Sequence, residues 1–347
     1  PRWRDISIDE AHDLNRAQFN FIQAIADKTR ARLFVLASPE QSIYSFRYAL
    51  PKVLEEFIAR NGLKKMRLML NHRAGQVLVR YANRVFDVSK PANLGSEGSV
   101  IWLGEYPDVF SEAFDVVKRA HGIRANCAIL ARTNSATVPV ITACVDMNVR
   151  YKAVRTFLDS PVTRCVQDLI LLHMGLLKMS APEALWLRRY LMIDRRRLER
   201  LLPEMYDPQA ALSVIMKRIA PESMLQGDQD DDALLKWLFE ASKRFMNHTQ
   251  FLEFLEKARS LQNRDAMLTV GTIHSAKGLE FDVAFLIGLN DGLLPHTKNP
   301  LLDEEKRVFY VGITRAKRRL YLSSHKSGGA KPSRFLDLLK LKPGLNK

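Results

Sequence analysis

The chain has 347 residues, enough for two domains, and 47% of them are apolar, which excludes a disordered chain. Its net charge of +15 favours a polyanion partner, nucleic acid ahead of an anionic membrane surface. Three widely spaced cysteines, Cys127, Cys144 and Cys165, exclude a disulfide framework or a C-x-x-C zinc site and point to a reducing, cytoplasmic interior; no apolar run is long enough to span a bilayer.

Residues 4–8 (RDISI) read as a short strand ending at Asp9 and Glu10. Adjacent carboxylates at the end of a parallel strand are placed to hold Mg2+ or to orient an attacking water. Acids opening the next helix, with Asp13 and Asn15 as N-caps, are the other reading. Residues 19–26 read as helix and 32–37 as a buried strand. The loop that follows gathers Gln41, Tyr44, Phe46, Arg47 and Tyr48. Aromatics beside an arginine suit stacking on unpaired bases while the cation meets phosphate; they equally suit a cluster packed under a helix.

Residues 66–70 read as a strand and 76–86 as a helix, with Arg73 between them in reach of a phosphate. A solvated surface arginine is the plainer alternative. A turn-rich connector at 91–98 leads to strand 99–103, helix 108–121, strand 125–132 and helix 135–148. This alternation predicts parallel α/β layers up to residue 154. From 161 to 264 the apolar residues recur at helical spacing, as at Val166, Leu169, Ile170 and Leu172. The segment reads as an all-helical subdomain inserted between two halves of an α/β domain. Arg188, Arg189, Arg195, Arg196, Arg197 and Arg200 make it locally basic, either as a nucleic-acid surface or as a solvated helix face. Residues 227–232 (GDQDDD) read as an exposed acidic loop.

Residues 270–290 (VGTIHSAKGLEFDVAFLIGLN) set Thr272, His274, Lys277 and Glu280 just before an apolar strand at 282–289. Such a loop reaches a ligand from a rigid sheet, and Lys277 and His274 are donors suited to phosphate; an ordinary charged loop is the bland reading. Residues 303–320 read as a helix with acids in its first turn and basic residues in its last. Val308, Val311 and Ile313 face the core, and Arg315 is either presented across a cleft to a phosphate or one more basic residue at a helix end. A closing strand at 320–323 and a helix from 332–336 follow.

In order, residues 9–15 (DEAHDLN), 41–49 (QSIYSFRYA), 70–73 (LNHR), 272–282 and 304–316 (EEKRVFYVGITRA) resemble the Walker B, third, fourth, fifth and sixth motifs of the UvrD/Rep/PcrA family of superfamily 1 DNA helicases. The resemblance implies an α/β fold: a RecA-like parallel-sheet motor domain with an all-helical inserted subdomain, plus a remnant of the first motor domain at the N-terminus. The expected divisions are 1–60 for that remnant, 61–158 and 266–347 for the two halves of the second motor domain, and 159–265 for the helical insert. It further implies ATP and Mg2+ as cofactors, and single-stranded DNA and single/double-strand junctions as partners.

Carried over residue by residue, Asp9 and Glu10 hold Mg2+, Glu10 activates the hydrolytic water and Gln41 senses the γ-phosphate. Arg73 and Arg315 bring positive charge to the transition state from the second motor domain. His72 and Glu280 contact the nucleotide, and Tyr44, Phe46, Arg47, Thr272 and His274 face DNA. The sequence departs from the family at several points. It holds no G-x-x-x-x-G-K-[ST] loop and opens on Pro1 rather than Met. A fragment is therefore expected, inactive alone as an ATPase and partnered by a missing N-terminal motor segment of its parent chain. His12 stands for the family's Gln, Ala37-Ser38 for Gly-Asp, and His72 for a Tyr that stacks on adenine. The alternative is a helicase-derived module that binds DNA or a partner without turnover.

Overall fold

The computed structural model describes residues 3–91, 97–153, 156–219, 229–297 and 299–341. The N-terminal lobe opens with β1 (Asp5–Ile8), α1 (Arg16–Thr29), β2 (Arg32–Val35) and α2 (Pro51–Arg60). α1 starts where it does because Asn15 and Gln18 cap each other: each side-chain oxygen accepts the other's backbone N–H. β1 and β2 pair in parallel as a two-stranded sheet. Ile8, Ala11, Phe19, Val53, Leu54 and Phe57 form a small core beneath them.

The C-terminal lobe begins with β3 (Leu70–Asn71), α3 (Gln76–Val85) and β4 (Lys90–Pro91). It continues through β5 (Ser99–Tyr106), α4 (Val109–His121), β6 (Cys127–Ala131), α5 (Thr137–Asp146) and β7 (Lys152–Ala153). Among the described residues the α-helices α6 (Pro161–His173), α7 (Pro182–Tyr190), α8 (Arg195–Leu201), α9 (Pro208–Val214), α10 (Gln229–Ser242) and α11 (His248–Ser260) follow. The chain then returns through β8 (Leu268–Thr272), β9 (Phe281–Leu286), α12 (Leu302–Ile313), β10 (Ala316–His325) and α13 (Phe335–Leu339). The main sheet runs β5-β10-β9-β6-β8-β7, and every pairing in it is parallel.

β6 shows why the sheet sits in the middle. Its residues alternate between two cores: Cys127, Ile129 and Ala131 face α4, α5 and the helical segment, while Ala128 and Leu130 face α3 and α12. A parallel strand covered on both faces reads as a continuous apolar run, and here it is one. All three cysteines are buried and free. Among the described residues, no helix is long and apolar enough to cross a membrane. The α/β, RecA-like class expected from the sequence is the class observed, and residues 156–219 and 229–260 contain helices and no strand.

Four elements differ from expectation. The strand expected to be buried at 32–37 is β2, exposed or half-buried along its length because no third strand covers it among the described residues. The strand expected at 66–70 is confined to Leu70–Asn71, and residues 64–69 join no strand among the described residues, leaving Met66 88% and Leu68 90% exposed. An apolar run becomes a strand only where a neighbouring strand accepts its hydrogen bonds. The helix expected at 303–320 stops at Ile313. Residues from Ala316 enter β10, where Leu320 and Leu322 are buried between β5 and β9, so Lys317, Arg318 and Arg319 lie on a strand and not at a helix end. The acidic stretch at 229–232 opens α10 and is not a loop; acids in a first turn favour the helix dipole. Residues 227 and 228, and 92–96 of the connector, lie outside the described residues.

Candidate functional site at the junction of the two lobes

Asp9 and Glu10 follow directly from the C-terminal end of β1. Glu10 adopts a left-handed backbone with φ of 50°, and its N–H donates to Asp9 Oδ1 at 2.8 Å. A non-glycine residue held there costs roughly 1–3 kcal/mol, the sort of strain that clusters at functional sites. His12 is buried beside them. Its Nδ1 accepts the Ser38 N–H at 3.0 Å, and its Nε2 lies 3.2 Å from Glu10 Oε2 and 3.1 Å from Lys277 Nζ. Burial, and then the Lys277 charge, push its pKa down to about 4, so the ring is neutral at pH 7.

Lys277, from the loop between β8 and β9, crosses to the N-terminal lobe. It donates to both Asp13 oxygens at 2.5 and 2.6 Å and to the Gln41 carbonyl at 2.8 Å. The sequence suggested a phosphate donor; the geometry is a clamp whose three protons are already taken. Asp13 is correspondingly a clamp partner, and Asn15 alone caps α1.

Arg315 follows α12 and is 1% exposed. Its guanidinium is held by the carbonyls of Val311 and Leu279, and Nη2 reaches Gln41 Oε1 at 3.2 Å across the junction. Burial, then the neighbouring charge of Arg73, lower its pKa to about 10, leaving it charged at pH 7. Arg73 pairs with Glu280 at 2.6 Å. The charges of Arg73, Glu280 and Glu10 all act on the Arg315 guanidinium, which places these groups near one another at the junction. His72 is exposed beside Arg73.

The loop after β2 plugs into the C-terminal lobe. Ile43 is fully buried in that lobe's core. Ser45 donates to Glu304 through its N–H at 2.9 Å and its hydroxyl at 2.5 Å, and Arg307 donates to the Ser42 carbonyl at 2.6 Å. The plug carries Tyr44 and Phe46, whose rings lie 6.3 and 6.4 Å from His274. The Arg47 guanidinium sits 5.2 Å from the Tyr44 ring and 5.6 Å from the Phe46 ring. His274 is kept neutral by burial and then by Arg132, with its pKa at about 4, so it offers a ring face and no charge at pH 7. Thr272 is buried, and its hydroxyl is spent on Ser275 within its own loop rather than exposed toward a ligand.

Arg307 and Glu304 are junction residues that local composition did not single out, and Lys277 and Asp13 stand out in the sequence only for other roles. Their signal was positional: each lies in or beside one of the five motif-like stretches. Arg132 was also missed. It grips the fully buried Glu305 through two hydrogen bonds at 3.1 and 2.7 Å, fixing the start of α12. Asp9 and Glu10 supply hard oxygen donors at a strand end, the donor type Mg2+ takes together with phosphate oxygens. Glu10, His12 and Asp13 also converge, with ligand atoms within 4.8 Å of one another. That trio does not suit Mg2+, because it contains an imidazole and an aspartate already bound to Lys277.

Two family models match the chain. One describes the UvrD/REP helicase N-terminal domain, over residues 1–61, and the other the UvrD-like helicase C-terminal domain, over residues 219–327. The chain is similar to the ATP-dependent DNA helicase PcrA of Bacillus subtilis, 24% identical over 94% of this chain and 55% of the relative. It is similar to the ATP-dependent DNA helicase UvrD2 of Mycobacterium bovis, 28% identical over 97% of this chain and 50% of the relative. A stretch covering 20% of the chain is 48% identical to 10% of the ATP-dependent DNA helicase UvrD1 of Mycobacterium leprae. The chain spans about half the length of the relatives that it matches along most of its own length.

Proposed function

The chain carries UvrD-like helicase domains, and on that premise we propose that it forms the cleft-closing, strand-gripping part of an ATP-driven DNA helicase. The observation that carries this reading is the meeting of Gln41 from one lobe with Arg315 from the other, at 3.2 Å, where the charges of Arg73 and Glu10 also act on the guanidinium. Phosphoryl transfer spreads negative charge over the transferred group, and guanidinium groups fixed in place beforehand stabilise it without reorganisation. Asp9 and Glu10 would hold Mg2+, which when bound neutralises phosphate charge. Glu10 takes the proton of the attacking water, Gln41 contacts the terminal phosphate, and His72 and Glu280 border the nucleoside.

Single-stranded DNA, alone or at a junction with duplex, lies along Tyr44, Phe46, Arg47 and the neutral ring of His274, which suit base stacking beside a cation. ATP draws the lobes together, hydrolysis releases them, and bases pass along the aromatic shelf. Residues 159–265 act as an accessory helical subdomain, and the protein works in the cytoplasm. The sequence has no G-x-x-x-x-G-K-[ST] loop. In this reading a further motor segment of a longer protein supplies it, and residues 1–347 alone turn over no ATP. Exposed Phe34, Leu36, Met66 and Leu68 support this, since a two-stranded parallel sheet is not stable by itself and a strand from that segment would cover them.

The test is DNA-stimulated ATPase of the full-length protein. Glu10→Gln should abolish turnover while ATP still binds. A full-length protein that binds DNA but hydrolyses nothing would replace this reading with that of a binding module without turnover.

A further inference from the structure

We propose that His12 is a positioning residue: it aims the carboxylate of Glu10, and does so according to whether the two lobes are clamped together. The inference rests on the role given to Glu10 above. The Glu10 side chain is 63% exposed, and the close polar neighbour of its carboxylate is His12 Nε2 at 3.2 Å. A carboxylate on a strained backbone, projecting toward solvent, takes its orientation from such a contact.

The His12 ring is itself fixed. It is buried, and its own carbonyl accepts the Ser42 hydroxyl at 3.1 Å. The Ser38 N–H points into Nδ1, and a backbone N–H cannot turn away. The hydrogen bonds therefore assign Nδ1 as acceptor and place the proton of the neutral ring on Nε2. Three polar groups lie near Nε2: the acceptors Glu10 Oε2 at 3.2 Å and Asp13 Oδ1 at 3.6 Å, and the Lys277 ammonium at 3.1 Å, which cannot accept. Lys277 decides between the two acceptors. With its protons directed at both Asp13 oxygens and the Gln41 carbonyl, it occupies Asp13 and leaves Glu10 as the acceptor. When the lobes part and Lys277 withdraws, Asp13 competes for the same proton and Glu10 is released. Lobe closure is thus read out as orientation of the base, by a ring that combines one donor and one acceptor. A glutamine side chain combines the same two groups.

The experiment measures single-stranded-DNA-stimulated ATP turnover by the full-length protein and its His12→Leu, His12→Ala and His12→Gln variants. Leu and Ala should lower kcat by about 10- to 100-fold, with KM for ATP and DNA affinity nearly unchanged, and Gln should restore most of the rate. Added imidazole should raise the rate of the Ala variant and not that of the parent. Lys277→Ala should lower kcat in the parent and add nothing once His12 is Leu. Where the Leu variant fails to fold, the Ala variant with imidazole carries the same decision. Unchanged kcat in the Leu and Ala variants, strict additivity with Lys277→Ala, or parallel loss of kcat, ATP affinity and DNA affinity without imidazole rescue would each overturn the proposal. An inactive parent would instead overturn the helicase reading on which it depends.

Discussion

In the C-terminal lobe every residue of β6 and β8 is buried, whereas in the N-terminal lobe β1 and β2 alternate between exposed and half-buried positions, with Ile8 alone buried. The lobe with the stronger scaffold holds the arginines, and the weaker one holds the carboxylates and Gln41. In the proposed reading Arg315 must keep its place without solvent, and it is buried, while Asp9 and Glu10 must reach a ligand, and they sit at the end of an open sheet. The loop carrying Gln41 resolves the mismatch by borrowing the other lobe's core through Ile43, Ser45 and Glu304.

The contrast breaks most visibly in the core. Ile129 in β6 lies opposite Val270 and Phe285, and Ile129→Ala should cost about 2–5 kcal/mol in urea unfolding. A cost no larger than that of a surface change would mean the main sheet is not the rigid half.

A pH experiment reaches the same lobe from another side. Glu112 is buried on α4, accepting the Gly288 N–H and the Ser323 hydroxyl, and burial raises its pKa from 4.5 to about 7. Below pH 4.5 the group is protonated in both the folded and unfolded states. Between pH 4.5 and 7 the unfolded state has lost its proton while the folded state keeps it, so stability falls across that window by about 3 kcal/mol in total and levels off above 7. Glu112→Gln should flatten that decline between pH 4.5 and pH 7. An unchanged pH profile would show the carboxyl to be solvated.

The clamp between lobes is expected to be weaker. A double-mutant cycle on Lys277→Ala and Asp13→Ala, read by unfolding, should give a coupling of about 1–3 kcal/mol. Zero coupling would mean that the lobes meet without this pair. Phe34→Ala, at a β2 position 51% exposed, should change the stability of this chain by less than about 0.5 kcal/mol. A larger loss would mean that β2 is covered after all.

The legibility of the sequence follows the same division. A strand buried on both faces, β6, was visible as an unbroken apolar run, and helix starts were visible through Asp108 and Asn15, which cap α4 and α1. The run at 66–70 misled because its apolar residues specify a strand only in company. The boundary between α12 and β10 was lost because a period of two begins within three residues of a helix end, in a stretch crowded with basic side chains. For the site, motif order brought Gln41, Arg73, Glu280 and Arg315 to one region. The clamp role of Lys277 was not legible, because Asp13 lies 264 residues away and only folding pairs them. The tautomer of His12 depends on a backbone N–H at Ser38, which no side-chain pattern announces.

The most direct test of a shared cleft is ATP turnover by the full-length protein carrying Arg315→Ala or Arg73→Ala, measured with and without single-stranded DNA. Each substitution should lower DNA-stimulated turnover by about 1,000-fold or more while DNA affinity changes by no more than about 3-fold. Turnover that stays within about tenfold of the parent in either variant would contradict the account.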